Sequence, residues 1–404
     1  MEKFLPIVLG TDNNSYTVAR SIHSGYNLKP TIVGSAVLIP FYKSVIADVH
    51  VESNFSTDSS VFVSLLNRVY HENKAHYEKF VIFAPTETYL KLLYDNVSKL
   101  DFKPLLPYPE KDLALNVMVK KNFYSRMEEL NIKVPKTYQV NRENYHDFNA
   151  EGEFFLKADD YDYFNRFEFD GKQKGYYAAD KDTAKMYLEK IYDSDFDGSI
   201  LIQSFIHGDD GTEYSVNGYR SKGDHFTMTQ ARSLLEDPRP MWIGNHLVLS
   251  DSNRKDLYKI SEEIIRGLGY YGYFNLDFKI DAKTNEVYVF ELNTRLARSF
   301  YYSNLGGVNY IEVAIADLVY NEGLVQKQTE PFNWIVISES TSYGYLSPQL
   351  KEIFNQKDRL RNTGNSLVYD KDMQFSRKMK LKSYHKNLES QIIAGFNEQK
   401  RSKQ

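Results

Sequence analysis

No cysteine occurs among the 404 residues. That absence excludes disulfides, a thiolate nucleophile and cysteine-based zinc sites, and it suits a reducing compartment. There is no basic excess either. Fifty Lys and Arg stand against 54 Asp and Glu, and they are spread along the chain rather than blocked, so nothing advertises a nucleic-acid partner. No apolar run approaches the ~20 residues of a membrane span. The first apolar run is short, interrupted by Pro6 and followed by Asp12, which does not make a secretory signal. The expectation is a cytoplasmic protein without membrane insertion. Two familiar sites are also missing: no Gly-x-x-x-x-Gly-Lys-[Ser/Thr] phosphate loop and no Gly-x-Ser-x-Gly elbow.

What is present is enough apolar sequence, 42% of residues, to bury a sizeable core in two or three domains. Short apolar runs at 4–9, 30–38 and 80–84 alternate with helical patterns, from 16 to about 23 and at 89–100. That alternation predicts a parallel α/β sheet. The proline-rich stretch 103–109 suggests an end to this first domain near 110. A helix is predicted over 111–130, strands at 153–158, 167–177 and 199–206, and a helix at 181–192. Antiparallel strands follow in 212–250, an amphipathic helix at 253–268 and a hairpin at 272–293. Beyond about 325 the pattern is less regular, and the polar residues 398–404 read as a disordered tail.

Three apparent motifs dissolve on inspection. Gly267, Gly269 and Gly272 match Gly-x-Gly-x-x-Gly, but they follow a helix and precede a strand, the reverse of a dinucleotide site. The run Asp193, Asp195, Asp197, Gly198 opens like a calcium loop but reaches Ser204 where the closing Glu is needed. His71 and His76 are five apart, off the face a zinc-peptidase helix uses.

The hairpin is the informative segment. Its first arm sends Phe274, Leu276, Phe278 and Ile280 one way and Tyr273, Asn275, Asp277 and Lys279 the other. The second arm is expected to put Tyr288, Phe290 and Leu292 on the apolar side and Val289, Glu291 and Asn293 opposite. A turn centred near Thr284 sets Asp277 across from Glu291, with Asn293 one step on. Facing carboxylates repel, and a cation between them reverses the sign. Two carboxylates and an amide oxygen are the hard ligands Mg²⁺ takes. Read alone, the same pattern also fits an amphipathic hairpin with a solvated polar face.

The run Phe290-Glu291-Leu292-Asn293-Thr294-Arg295, preceded by Asn275-Leu276-Asp277-Phe278-Lys279, is similar to the metal signature of the ATP-grasp superfamily. The resemblance implies an α/β ATP-grasp fold. A Rossmann-like N-terminal domain (1–110) would precede an ATP-grasp domain (111–325, its lid lobe about 150–206) of two α+β lobes clasping the nucleotide, followed by a C-terminal segment (326–404). It implies Asp277, Glu291 and Asn293 as ligands of Mg²⁺, with two ions on the ATP phosphates. Arg295 would meet the transferred phosphoryl group, and Lys120 and Lys157 the phosphates, Lys157 with a catalytic role. Gln203, Ser204, Phe205 and Ile206 would form the hinge at the adenine edge, and Asp210 would take the ribose. One departure is plain. Where the superfamily often carries a glycine-rich lid loop, residues 159–166 hold no glycine, so the cover falls to Gly171-Lys172-Gln173-Lys174 or closes differently.

The implied activity is ATP-dependent ligation of a carboxylate to an amine through an acyl phosphate. Stretches such as Val8-Leu9-Gly10-Thr11-Asp12, Leu234-Leu235-Glu236-Asp237-Pro238 and Arg298-Ser299 resemble the D-aspartate ligases of Gram-positive peptidoglycan synthesis. These join D-aspartate to the lysine side chain of a cell-wall precursor, so an amino acid and an amine acceptor, such as a UDP-linked muropeptide, are the implied partners. An acidic substrate calls for a guanidinium, and Arg20, Arg232 and Arg298 are the candidates. The rival readings are an ATP-grasp ligase outside cell-wall synthesis and a nucleotide-binding regulator without catalysis.

Overall fold

Apolar strands that alternate with amphipathic helices have to pair side by side and be covered on both faces. The computed structural model, which describes residues 3–402, begins in this way. Strands β1 (Phe4–Leu9), β2 (Thr31–Gly34), β3 (Asp48–Val51) and β4 (Lys79–Phe83) form a parallel sheet in the order β3-β2-β1-β4. All of β1 is buried. The chain leaves β1 toward β2 on one side and later returns as β4 on the other. The crevice beyond the C-terminal ends of β1 and β4 is therefore a topological switch point, the usual ligand position in such sheets. Gly10 sits there at φ +92, where a Cβ would lie 2.6 Å from the Tyr89 ring, so only glycine makes this turn. The following helix starts earlier than the sequence pattern suggests, at Asn13, because Asp12 caps it by accepting from Ser15 N.

A second sheet is antiparallel and small: β5 (Thr137–Val140), β6 (Phe154–Ala158), β7 (Gly175–Ala178) and β8 (Ile200–Ser204), in the order β5-β8-β6-β7. The third has seven strands: β9 (Glu213–Arg220), β10 (Phe226–Glu236), β11 (His246–Asp251), β12 (Gly272–Ile280), β13 (Val287–Asn293), β14 (Asn333–Ile335) and β15 (Thr363–Gly364). Its order is β13-β12-β9-β10-β11-β14-β15. The helix Lys255–Gly267 buries Leu257, Ile264 and Ile265 against Phe274, Leu276 and Phe278 of β12. Each such side chain contributes ~1.5–3 kcal/mol. Gly272, at φ +90, opens β12 where a Cβ would meet the Pro107 carbonyl at 2.5 Å, so these glycines turn the chain and hold no dinucleotide.

Several expectations are corrected. The helix expected over 111–130 is two, Lys111–Met118 and Lys120–Glu129, parted by an extended Val119. Ala114 faces the core of the first sheet while Val117, Phe123, Tyr124 and Met127 face that of the third, which one straight stripe cannot do. The strand expected at 167–177 is only β7, because Phe167 packs edge-on to Phe196, and Phe169 to Phe164, instead of joining a ladder. The tail expected to be disordered is the end of a helix, Phe375–Ser402; residues 403–404 lie outside the described chain. Its composition is polar, but Leu388, Ile392 and Phe396 recur at one-turn spacing and pack with Trp334, Leu346 and Leu350.

The segment after residue 326 is clamped onto the first helix and the 40–45 loop of the N-terminal unit. Buried Asp372 accepts from Tyr16 Oη (2.7 Å), Ser44 Oγ (2.9 Å) and Val45 N (2.6 Å) and pairs with Arg377 at 3.1 Å. Arg377 donates in turn to the Pro40 carbonyl at 2.6 Å. Removing one partner of such a buried pair costs roughly 3–5 kcal/mol. Among the described residues no helix is long and apolar enough to cross a membrane.

Candidate active site

The polar face of the hairpin continues across three strands. The register pairs Asp277 with Glu291 and Asn275 with Asn293 across β12–β13, and Asp277 with Ser215 and Asn275 with Asn217 across β12–β9. Asn275 Nδ2 donates to Ser215 Oγ (2.7 Å) and Asn217 Oδ1 (3.1 Å), which fixes its own oxygen toward Asn293 Nδ2 at 2.9 Å. Asn293 Nδ2 also lies 3.3 Å from both Asp277 Oδ2 and Glu291 Oε1. An amide N–H₂ thus stands where a cation would, and a half-turn of the amide offers its oxygen instead. Among the described residues no cluster of three or more His, Cys, Asp or Glu could hold a metal. This face, with two carboxylates and an amide, fits an ion that completes its shell with water and phosphate oxygens, as Mg²⁺ does.

The strand parity expected for the second arm fails beyond Glu291. A bulge between Asp277 and Phe278 pairs Phe278 with Val289 and leaves Phe290 as the extra residue. Val289 is therefore fully buried in the core, and Phe290 turns toward Lys157, whose Nζ is 5.8 Å from its ring. Tyr124 Oη donates to the Phe290 carbonyl and so fastens the bulge to the helix Lys120–Glu129.

Charges divide the two carboxyls. Burial, reinforced by Glu291, raises Asp277 to about 7. Burial pushes Glu291 the same way, but Lys120, Lys157, Arg295 and the Asn293 amide outweigh it and hold Glu291 below the usual carboxylate range. Glu291 therefore holds its charge more readily than Asp277 does. Lys157, on β6, is lowered to about 7 by burial and by Lys120. Lys120 opens a helix with no side-chain cap, so its first amides are free for an anion. Arg295 reaches Glu87 Oε1 at 3.6 Å, at the head of the helix that follows β4, and so ties the metal face to the switch-point crevice.

At the hinge, Ser204 N donates to the Lys136 carbonyl (2.8 Å), Phe205 N to that of Glu153 (2.9 Å) and His207 N to Asp281 Oδ2 (3.1 Å). Ile206 N–H has no partner among the described residues. The Gln203 side chain is buried and donates to Tyr124 Oη (2.9 Å) and Thr137 Oγ1 (3.0 Å), so it braces the strand from inside. Asp210 is exposed at its rim, yet the protein packed around its carboxyl raises it to about 6.

Sequence reasoning passed over several charged residues. Lys174, named only as a possible lid residue, is lowered by burial and lies in the field of Glu291 and Asp277. The loop 159–174 docks through Lys174 N on the Pro240 carbonyl (3.1 Å), and Lys172 Nζ gathers the carbonyls of Phe167 (2.6 Å) and Asn165 (3.1 Å). Glu213 and Glu236 are in side-chain contact, Glu236 raised by burial and by Glu213, which Lys279 pairs at 3.2 Å. Strand parity could have placed Glu213 opposite Lys279, but not Glu236 beside it, since β10 bulges after Ser233.

The three arginines part company. Arg20 lies over the rings of Tyr301 (4.0 Å) and Tyr369 (4.8 Å) and donates to the carbonyls of Asn365 and Ser366. Arg232 donates to the Gly211 carbonyl at 2.6 Å. Arg298 donates to the His246 carbonyl at 3.0 Å and makes no ion pair among the described residues.

A parallel sheet, a small antiparallel lid sheet, and a large sheet bearing a carboxylate–amide face together form the ATP-grasp fold. The chain has the ATP-grasp fold, and its similarity to ligases of that fold makes it an ATP-dependent ligase. Residues 201–342 match the family described as ATP-grasp in the biosynthetic pathway with Ter operon. The chain is 27% identical over 398 residues to the D-aspartate ligase of Enterococcus faecium, covering 94% of each. Among solved structures it resembles the L-amino acid ligase of Bacillus licheniformis, with TM-score 0.56, 13% identity and coverage of 78% of this chain and 74% of that one. It also resembles the ADP complex of N5-carboxyaminoimidazole ribonucleotide synthetase, with TM-score 0.59, 13% identity and coverage of 81% and 80%. ATP-grasp enzymes in general use ATP and Mg²⁺.

Proposed function

We propose that the chain joins a carboxylate of D-aspartate to the lysine side-chain amine of a peptidoglycan precursor. The cost is one ATP, with two Mg²⁺ ions held by Asp277, Glu291 and Asn293. The observation that carries the chemical half is the buried carboxylate–amide face ringed by Lys120, Lys157, Lys174 and Arg295. The substrate half rests on identity to a D-aspartate ligase along almost the whole of both chains.

In this reading Ile206 N–H meets the adenine edge and Asp210 the ribose. Lys120, the open amides behind it, and Lys157 cradle the phosphates. Magnesium, when bound, neutralises charge between the β- and γ-phosphates. Arg295 holds the γ-phosphoryl group in line with the substrate carboxylate, whose oxygen bonds to phosphorus as ADP leaves. The amine then attacks the carbonyl carbon of the acyl phosphate, loses a proton and expels phosphate. Loop 159–174 covers the phosphates and keeps out water that would hydrolyse the intermediate.

The test is phosphate release from Mg–ATP across D- and L-amino acids, with and without amine acceptors. D-Aspartate with a lysine-containing muropeptide is expected to give the highest rate. Release that needs no carboxylate, or none with any pair, sinks the reading.

A further inference from the structure

Arg298 lines a small cavity of ≈ 20 Å³ with Asn13, Trp334, Asn365, Tyr384 and His385. The wall is drawn from distant parts of the chain. Asn13 begins the helix after β1, Arg298 lies just past the metal strand, Trp334 is on β14, and Tyr384 and His385 belong to the C-terminal helix. Nothing acidic lines it.

Two groups in this wall lack the partners that burial demands. The guanidinium of Arg298 spends one donor on the His246 carbonyl and stacks 5.7 Å from the Trp334 ring. Asp237, the acid that acts most on it, is already held by Arg239 through two hydrogen bonds of 2.8 and 2.6 Å. Nε2 of His385 is buried with no hydrogen-bond partner among the described residues. An unpaired cation and an orphaned ring nitrogen are each expensive to bury, and an anion relieves both. The rest of the wall is braced to stay open. Arg20 holds the carbonyls of Asn365 and Ser366 at 2.8 and 2.9 Å, Trp334 Nε1 donates to Ser366 Oγ at 2.9 Å, and Asn13 Nδ2 donates to Tyr384 Oη at 3.4 Å.

We propose that this cavity binds the non-reacting carboxylate of the amino-acid substrate, and that residues 326–404 exist in part to complete it. The inference rests on the ligase reading above. Arg298 is three residues after Arg295, so their Cα atoms are no more than about 11 Å apart. A dicarboxylic amino acid can therefore anchor one carboxylate on Arg298 and His385 and extend the other toward the phosphates. The cavity interior is narrow and suits a carboxylate group rather than a whole side chain. Substrates with a single carboxylate have nothing left to activate once anchored, which gives selection for a diacid.

Trp334 reports occupancy directly. Trp242 is the other tryptophan and is exposed, so Trp242→Phe leaves Trp334 as the sole emitter. In that background D-aspartate and succinate are expected to change the emission saturably, and aspartate diamide is not. Arg298→Gln should weaken the D-aspartate response at least tenfold and Arg298→Lys less. His385→Asn should weaken it severalfold, with ATP affinity unchanged in all. Equal responses in wild type and Arg298→Gln overturn the proposal, and so does a silent Trp334 in an enzyme whose phosphate release depends on D-aspartate. A saturable, Arg298-dependent response without turnover upholds the pocket and overturns the ligase reading instead. Silence in both assays overturns both. Retained ATP affinity separates a lost pocket from a lost fold.

Discussion

The carboxylate–amide face and the Arg298 pocket lie at the two ends of a four-residue stretch, 294–297, yet they are built by opposite means. The face sits on adjacent strands of one sheet, where register alone aligns Ser215, Asp277 and Glu291. The pocket gathers Asn13, Arg298, Trp334 and His385 from across more than 370 residues of chain. The first is rigid because ladder hydrogen bonds hold it. The second is rigid only while the C-terminal helix stays docked by Asp372, Arg377 and the apolar residues around Ile392. In the proposed reading catalytic charge is set on a local scaffold and substrate choice on a distant one, so the two can be damaged separately.

The largest effect is expected at the sheet. Asp277→Asn or Glu291→Gln should lower the rate of phosphate release by about 10³-fold or more, since each removes a metal ligand whose charge acts in the transition state. Because each also relieves two facing carboxylates, thermal unfolding without metal should be unchanged or slightly later. A lower melting temperature would mean that the face is structural after all. Next, Lys157→Met should raise the KM for ATP and lower kcat together, by roughly 10²-fold in kcat/KM, readable in steady-state titrations. Lys174→Ala removes a lid-loop cation in the field of Glu291 and should cost kcat about tenfold. A larger loss in ligation than in ATP hydrolysis would mark water entry through the lid.

A smaller effect is expected from pH. Asp210 is raised above its ordinary value to about 6. A raised acid contributes stability that is full below its unfolded pKa and lost as pH climbs through about 6. A ribose hydroxyl donates best to the ionised form, so ATP affinity should rise severalfold between pH 5 and 7. Asp210→Asn should flatten that profile; an unchanged profile removes Asp210 from the ribose. Smallest of all, Arg20→Lys loses the planar stack on Tyr301 and Tyr369, and should raise the KM for the carboxylate substrate roughly threefold while leaving that for ATP alone.

Particular residues show how far the sequence could be read. Asp277 opposite Glu291 was expected from strand alternation and a turn centred near Thr284, and the structure reaches the same pair by another route: the turn is centred half a residue earlier, and a bulge on the second arm restores the register. Phe290 and Val289 exchanged faces, and no residue type in the hairpin announced it. Lys174 was visible as a lysine between Gln173 and Gly175, but its aim at Glu291 depended on loop 159–174 docking against Pro240. The helix at Phe375–Ser402 was hidden by its polar composition, since Leu388, Ile392 and Phe396 suffice when Trp334 and Phe354 wait to cover them.

By itself the sequence determined the alternation of the first sheet, the carboxylate–amide face and the order in which lysines, hinge and metal strand appear. These are local consequences of side-chain period and spacing, which need only a few neighbouring residues to be expressed. Tertiary structure alone decided the split helix before Lys120, the opposite shifts of Asp277 and Glu291, and the pocket that joins Asn13 to His385. Each depends on burial and on the electric field of residues far away in the chain, quantities that take their values only when the whole core has closed.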